Sequence, residues 1–164
     1  MKLLAGFLLL TLFTSLMSDE TEEDIQVMAI KKDDPDFTQV TKEALKRFDF
    51  FIDTHKEHSD NLGVYFAIKY GVAEKEGSRT FLWYTFDKLA NGFLHAHHYN
   101  IPEDLKEYEK IKIKPEDISD WMINDHGHLQ GGWSLRLQRS KLPETEQEEF
   151  DEGAGIKNYL PTDF

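Results

Sequence analysis

Apolar residues recur at three- and four-residue steps through Val40, Ala44, Phe48, Phe51 and His55, with Leu45 and Ile52 beside them. Lys42, Glu43, Lys46, Arg47, Asp49 and Asp53 occupy the opposite side. Residues three and four apart share a helical face, so this pattern predicts one long amphipathic helix. Asp36, with Gln39 three positions on, reads as its N-cap in a capping-box arrangement, and S-D-N-L-G ends it.

From Val64 the period shortens to two. Val64, Phe66, Ile68 and Tyr70 share one face of a predicted strand and Lys69 takes the other. TFLWYTF (80–86) is apolar on both faces, as a strand in the middle of a sheet should be. FLHAHHY (93–99) follows as a third strand, and the turns E-K-E-G-S (74–78) and K-L-A-N-G (88–92) separate the three. KIKIK (110–114) puts Ile111 and Ile113 inward and lysines outward, the pattern of an edge strand. Trp121 and Ile123 lie on one face of the next strand and Met122 on the other, before an N-D-H-G-H hairpin turn in which Gly127 suits positive φ.

Gly131-Gly132 then allows a sharp bend, with Ser134 as the expected N-cap of a short helix over Leu135 to Ser140. LPETEQEEFDE reads as a second, acidic helix with Pro143 at its first turn. IQVMAI (25–30) reads as a first strand or extended segment, and I-P-E-D-L (101–105) as a loop or single helical turn. The tail GAGIKNYLPTDF is expected to be loosely attached, with Ile156, Tyr159 and Leu160 as the residues able to dock. The predicted class is α+β: one long helix on an antiparallel sheet of about five strands, with short C-terminal helices.

The chain opens MKLLAGFLLLTLFTSLMS and turns at once to DETEED. A basic Lys2, an apolar stretch from Leu3 to Phe13 and small polar residues after it match a secretory signal. The apolar stretch is short of the roughly 20 residues a bilayer span needs. Residues 1–18 are therefore expected to be a signal peptide cut after Met17 or Ser18, leaving no stable membrane insertion and a periplasmic or secreted protein. Residues 19–32 would form an acidic leader and short strand, 33–150 a single domain and 151–164 a tail.

The absence of cysteine excludes a disulfide framework and a lipid-modified cysteine, so stability must come from the apolar core. A net charge of −12 argues against nucleic acid and anionic lipid and favours basic or neutral partners.

The candidate chemistry is sparse. His95 and His97 point the same way on a strand, and His128, His126 or Asp125 would supply a third metal ligand if the hairpin folds over that strand. The competing reading makes the strand histidines part of a covered sheet face and leaves the other two in a solvated turn. Ser134 after Gly-Gly lacks the G-x-S-x-G pattern and reads as a helix cap. The pairs Glu116–Asp117 and Asp120–Asp125 fall on turns, where nothing separates their pKa values. Asp120, Trp121, Gly131, Gly132, Trp133 and Arg136 remain. Their expected role is structural, with the two indoles packed across the hairpin end and Arg136 returning to Asp120 as a charge-assisted pair. Their functional version is a groove in which Trp133 and Arg136 capture a carboxylate or a peptide end.

Four stretches carry a family resemblance: DDPDF, FLWYTFDKLANGFLHA, IPEDLKEYEKIKIKPEDISDW and GGWSLRLQRSKLPETE. Over about residues 33–150 the chain resembles the YegJ-like family of exported bacterial proteins, domain of unknown function 2314. The D-W…G-G-aromatic-x-x-R core of that resemblance falls on Asp120, Trp121, Gly131, Gly132, Trp133 and Arg136. The chain departs from it in having Glu107-Tyr108 where the family has a glycine turn, and in its histidine clustering. The resemblance implies fold and export and carries no activity with it. The expectation is a monomeric, cofactor-free, non-enzymatic domain that binds a protein or cell-envelope component, in an immunity or inhibitor-like role. The alternative is a metal-dependent hydrolase using His95, His97 and His128.

Overall fold

The computed structural model describes residues 28–31, 35–75, 78–101 and 103–162. The expected signal peptide (1–18) and most of the acidic leader lie outside the described residues. Strands β1 (Met28–Lys31), β2 (Val64–Lys75), β3 (Ser78–Ala90), β4 (Phe93–His97), β5 (Lys110–Ile113), β6 (Asp120–Asp125), β7 (His128–Gly131) and β8 (Asn158–Tyr159) form one sheet. Seven of them run in the order β5-β4-β3-β2-β6-β7-β8. β1 joins along the first residues of β3, from Ser78 to Phe81, on the edge that β4 occupies from Thr85 to Ala90. Every pairing is antiparallel except β7 with β8. The mixed α+β class is as the alternation predicts, but the sheet is wider than about five strands. β1 falls at the end of the segment 25–30 read as a first strand or extended segment, and the two-residue β8 is too short to announce itself as a strand.

The turns fall where the residues with tolerance for positive φ stand. Asn91-Gly92 closes β3 onto β4 with φ of 52° and 77°, and His126-Gly127 closes β6 onto β7 with φ of 51° and 95°. β5 is the edge strand, with Ile111 and Ile113 buried and its lysines exposed.

The predicted long helix is two: α1 (Pro35–Lys46) and α2 (Phe48–His58), parted at Arg47 (φ −114°, ψ 17°). Asp36 lies within the first turn of α1 instead of capping it. The break has a tertiary cause. The Trp121 indole Nε1 donates to the Ala44 carbonyl at 2.8 Å, and Arg47 N also turns back to that oxygen at 3.2 Å. A side chain inserted into the i→i−4 ladder bends a helix, and the fully buried Ala44 leaves room for the indole to approach.

Phe51 of α2 anchors the core, its ring 5.8 Å from Phe66, 5.1 Å from Phe86 and 5.3 Å from Trp121. Each such pair contributes about 0.5–1.5 kcal/mol beyond the area it buries. Ile68, Leu82, Tyr84, Leu94 and Ile123 complete the sheet side of the same cluster. After β7, α3 (Trp133–Lys141) packs against α1 and leads to α4 (Glu144–Gly153). The tail beyond α4 docks firmly: Ile156 is buried and Asn158–Tyr159 pair with β7. Among the described residues no helix is long and apolar enough to cross a membrane.

Candidate functional site

Alternation along β2 places Tyr65, Ala67 and Lys69 on the sheet face opposite Phe66 and Ile68. That second face carries two polar clusters, one at the start of β6 and one between β2 and β4.

The first is built around Asp120. Gly131 (φ 73°) and Gly132 (φ 63°) bend the chain so tightly that a Cβ at Gly131 would lie 2.6 Å from the Trp121 carbonyl oxygen. Gly132 N donates to that same oxygen at 2.8 Å. The helix α3 that follows has no side-chain cap at its own N-cap position. Asp120, from β6, acts instead. Its Oδ2 accepts Ser134 N at 2.7 Å and its Oδ1 accepts Trp121 N at 2.8 Å. Ser134 is therefore a helical residue and not the expected cap, and its hydroxyl accepts from the Lys69 ammonium at 3.1 Å. Lys69, Ser134 and Asp120 are thus linked in one buried cluster, by the lysine–serine hydrogen bond and by the Ser134 N–H held on the carboxylate.

Lys69 stands directly opposite Asp120 in the β2–β6 ladder and opposite Trp83 in the β2–β3 ladder, with its ammonium 5.4 Å from the Trp83 ring. Asp120 and Ser134 are fully buried and Lys69 nearly so. Burial pushes the Asp120 carboxyl up to about 6 against the pull of its N–H donors and of Lys69, and it pulls the Lys69 ammonium down.

Trp121 and Trp133 meet edge to face at 4.9 Å, as expected for indoles packed across the hairpin end. Arg136 corrects the expected pairing with Asp120. It donates from Nε to the Gly131 carbonyl at 2.8 Å, and from Nη2 to the Leu129 and Leu160 carbonyls at 3.2 and 2.7 Å. Its guanidinium also lies 5.1 Å from the Tyr159 ring. The arginine fastens the end of β7 to the C-terminal segment, where a planar fork of donors reaches several carbonyls at once. The structure thus brings Asp120, Trp121, Gly131, Gly132, Trp133 and Arg136 into one junction, with Lys69 and Ser134 as members the sequence left out. Arg136 Nε and Nη2 are engaged by main-chain oxygens, so these N–H groups are not free to capture a carboxylate between Trp133 and Arg136.

The histidines do not converge. His95 and His97 share a face of β4, but His128 lies on β7, four strands away in the sheet order, which is about 19 Å at ordinary strand spacing. Among the described residues no group of three or more His, Asp or Glu side chains is placed to hold a metal ion.

His97 has a different partner. Its Nδ1 lies 2.7 Å from Asp87 Oδ1. Asp87 falls in a β-bulge, where the register of β3 against β4 slips between Phe86 and Lys88. The extra residue re-aims a carboxylate that would otherwise alternate with its neighbours. His97 Nε2 is covered and has no hydrogen-bond partner among the described residues. The Tyr99 ring packs edge to face on the imidazole at 4.3 Å. Thr85, directly opposite His97, donates to the Tyr65 hydroxyl at 3.3 Å. Tyr99 is 77% exposed and Tyr65 39%. Burial raises the Tyr65 phenol above its ordinary pKa, with the neighbouring Tyr99 adding to the effect, so it keeps its proton and remains a donor. Tyr65 and Asp87 were not candidates from the sequence, since only the strand register brings them near His97, and Tyr99 was read only as part of a covered sheet face with Phe93, His95 and His97.

Residues 34–158 match a protein family described as an uncharacterized protein conserved in bacteria, DUF2314. The chain belongs to the DUF2314 family. The match bears out the family resemblance seen in the sequence. It runs from the start of α1 into β8, so both polar clusters lie inside the DUF2314 domain. No curated protein and no solved structure matches the chain.

Proposed function

We propose that this DUF2314 protein is an exported, non-enzymatic binding domain for a protein or cell-envelope component, and that Tyr65, Thr85, Asp87, His97 and Tyr99 form its contact surface. The observation that carries this reading is the exposure of two tyrosines beside a histidine whose covered Nε2 is unpaired among the described residues. Exposed aromatics are a cost to a monomer and an asset to an interface, since they bring large contact area at small conformational entropy. The export half of the proposal rests on the signal-like first eighteen residues.

Immobilised protein starting at Asp19 is expected to retain a component of the solubilised native envelope, and the double variant Tyr65→Ala, Tyr99→Ala is expected to lose it. Equal retention by both proteins places the contact elsewhere. Export is checked by fractionation: a cytoplasmic chain that still carries Met1 to Met17 rejects it.

A further inference from the structure

On the basis of that binding reading, we infer that the Tyr65–Tyr99 face is a saccharide-binding site whose occupant is an uncharged glycan chain. The hydrogen-bonding inventory decides the ligand class. Thr85 gives its proton to the Tyr65 oxygen, so the Tyr65 O–H is left to donate outward. Asp87 Oδ1 accepts from His97 Nδ1, which leaves Nε2 as the unpaired ring nitrogen. Nε2 is able to pair with a hydroxyl as acceptor in the neutral ring or as donor in the imidazolium, and the Asp87 side chain is itself 43% exposed. Lys110 stands directly opposite His97, and Lys88 opposite His95, each exposed.

A cationic ligand would find acceptors here but also two ammonium groups. An anionic ligand would meet Asp87 and a protein of net charge −12. A hydroxyl both donates and accepts, so a polyhydroxyl ligand satisfies the whole set without burying a net charge. The rings supply the other half of sugar recognition, because the C–H faces of a pyranose stack on an exposed aromatic. Tyr99 serves twice. It offers a stacking face, and because it packs on His97 its rotation bears directly on access to the imidazole.

The test is affinity electrophoresis of the full chain through gels containing soluble neutral polysaccharides (a β-glucan, a galactomannan and hydroxyethylcellulose), followed by calorimetry with chitohexaose and cellohexaose. At least one neutral glycan is expected to retard the protein. Tyr99→Ala and Tyr65→Ala should each weaken binding by about tenfold or more, the effect of losing a central aromatic anchor. Tyr99→Phe keeps the ring and should bind nearly as the parent does. Glu148→Ala, on α4, should change nothing.

Far-ultraviolet circular dichroism of each variant separates lost binding from lost fold. Absence of retardation by every polymer and oligomer overturns the saccharide proposal, as does retardation that survives in both folded alanine variants. The envelope-retention experiment then tells the two readings apart. If the double tyrosine variant still loses its envelope partner while no glycan binds, the face binds a protein and only the saccharide inference falls.

Discussion

The two polar clusters share one face of the sheet, since Tyr65 and Lys69 are four residues apart on β2, yet they are finished in opposite ways. Around Asp120 each carboxylate oxygen, the serine hydroxyl and the lysine ammonium has a hydrogen-bond partner, and all three residues are buried. Around His97 one ring nitrogen is unpaired and two phenols face outward. A buried network that satisfies its members fixes a single arrangement, and one with an unpaired ring nitrogen beside exposed rings keeps a hydrogen bond to make. Asp120, Trp121, Gly131, Gly132, Trp133 and Arg136 thus hold one junction of the fold together, and the residues around His97 are the ones on which the proposed binding role rests.

The harshest way to break the comparison is to open the closed cluster. Asp120→Ala removes the carboxylate that accepts from both the start of α3 and the start of β6, and it takes a negative group away from the vicinity of the buried Lys69. The expected cost is about 3–5 kcal/mol, from two buried N–H donors left unpaired at about 1–3 kcal/mol each. Urea unfolding followed by tryptophan fluorescence reads it directly. A loss below about 1 kcal/mol would mean that the network does not hold α3 in place.

The same carboxyl gives the cluster a pH signature. Its folded pKa of about 6 lies above the 3.8 of an ordinary aspartate, so in that window the folded chain holds a proton the unfolded chain has released. Stability from this group is therefore complete below about pH 4 and declines as pH rises through 6, by up to about 3 kcal/mol at 1.36 kcal/mol per unit. The stability gap between the parent and Asp120→Asn, which cannot titrate there, should be widest at pH 4 and narrowest at pH 7. A gap that widens with pH would reverse the sign and show that the N–H donors and Lys69 outweigh burial.

Arg136→Ala probes the rim of the closed cluster. It frees the Gly131, Leu129 and Leu160 carbonyls, and it is expected to cost about 1–3 kcal/mol. The loss should be local: amide exchange at Asn158, Tyr159 and Leu160 should quicken before that of β2 or β3. Uniform quickening would instead place the arginine in the global core.

How far each cluster was legible in the sequence follows from the reach of its contacts. Turns made by Asn91-Gly92 and His126-Gly127, the edge pattern of Lys110 to Ile113 and the Gly131-Gly132 bend are local, and the chain states them in a few residues. The helix break at Arg47 is invisible because its cause, Trp121, lies 77 positions from the carbonyl it engages. Asp120 was assigned the wrong partner for the same reason. Lys69 alternates to the outside of an apparently one-sided strand, and nothing short of the β2–β6 register shows that α3 buries it there. Asp87 reads as the start of a turn, whereas β3 runs three residues further and carries it in a bulge.

The mildest variants sharpen the comparison most. Tyr65→Ala and Tyr99→Ala remove two aromatic rings, a change that would be severe in the core. Tyr99 is 77% exposed, so little of its surface is withheld from water, and its loss lets solvent reach the covered Nε2 of His97. Hydrating that nitrogen offsets part of the lost ring contact. Tyr65 is more deeply set, and Thr85 loses its acceptor when the phenol goes, but Thr85 is itself only partly buried and can turn to water. The expected stability change for Tyr99→Ala is within about 0.5 kcal/mol, the usual range for surface positions, with Tyr65→Ala at about 1 kcal/mol. Thermal unfolding of the two single variants against the parent measures both. A loss above about 2 kcal/mol in either would make these tyrosines part of the scaffold, and the contrast between a closed and an open cluster would then disappear.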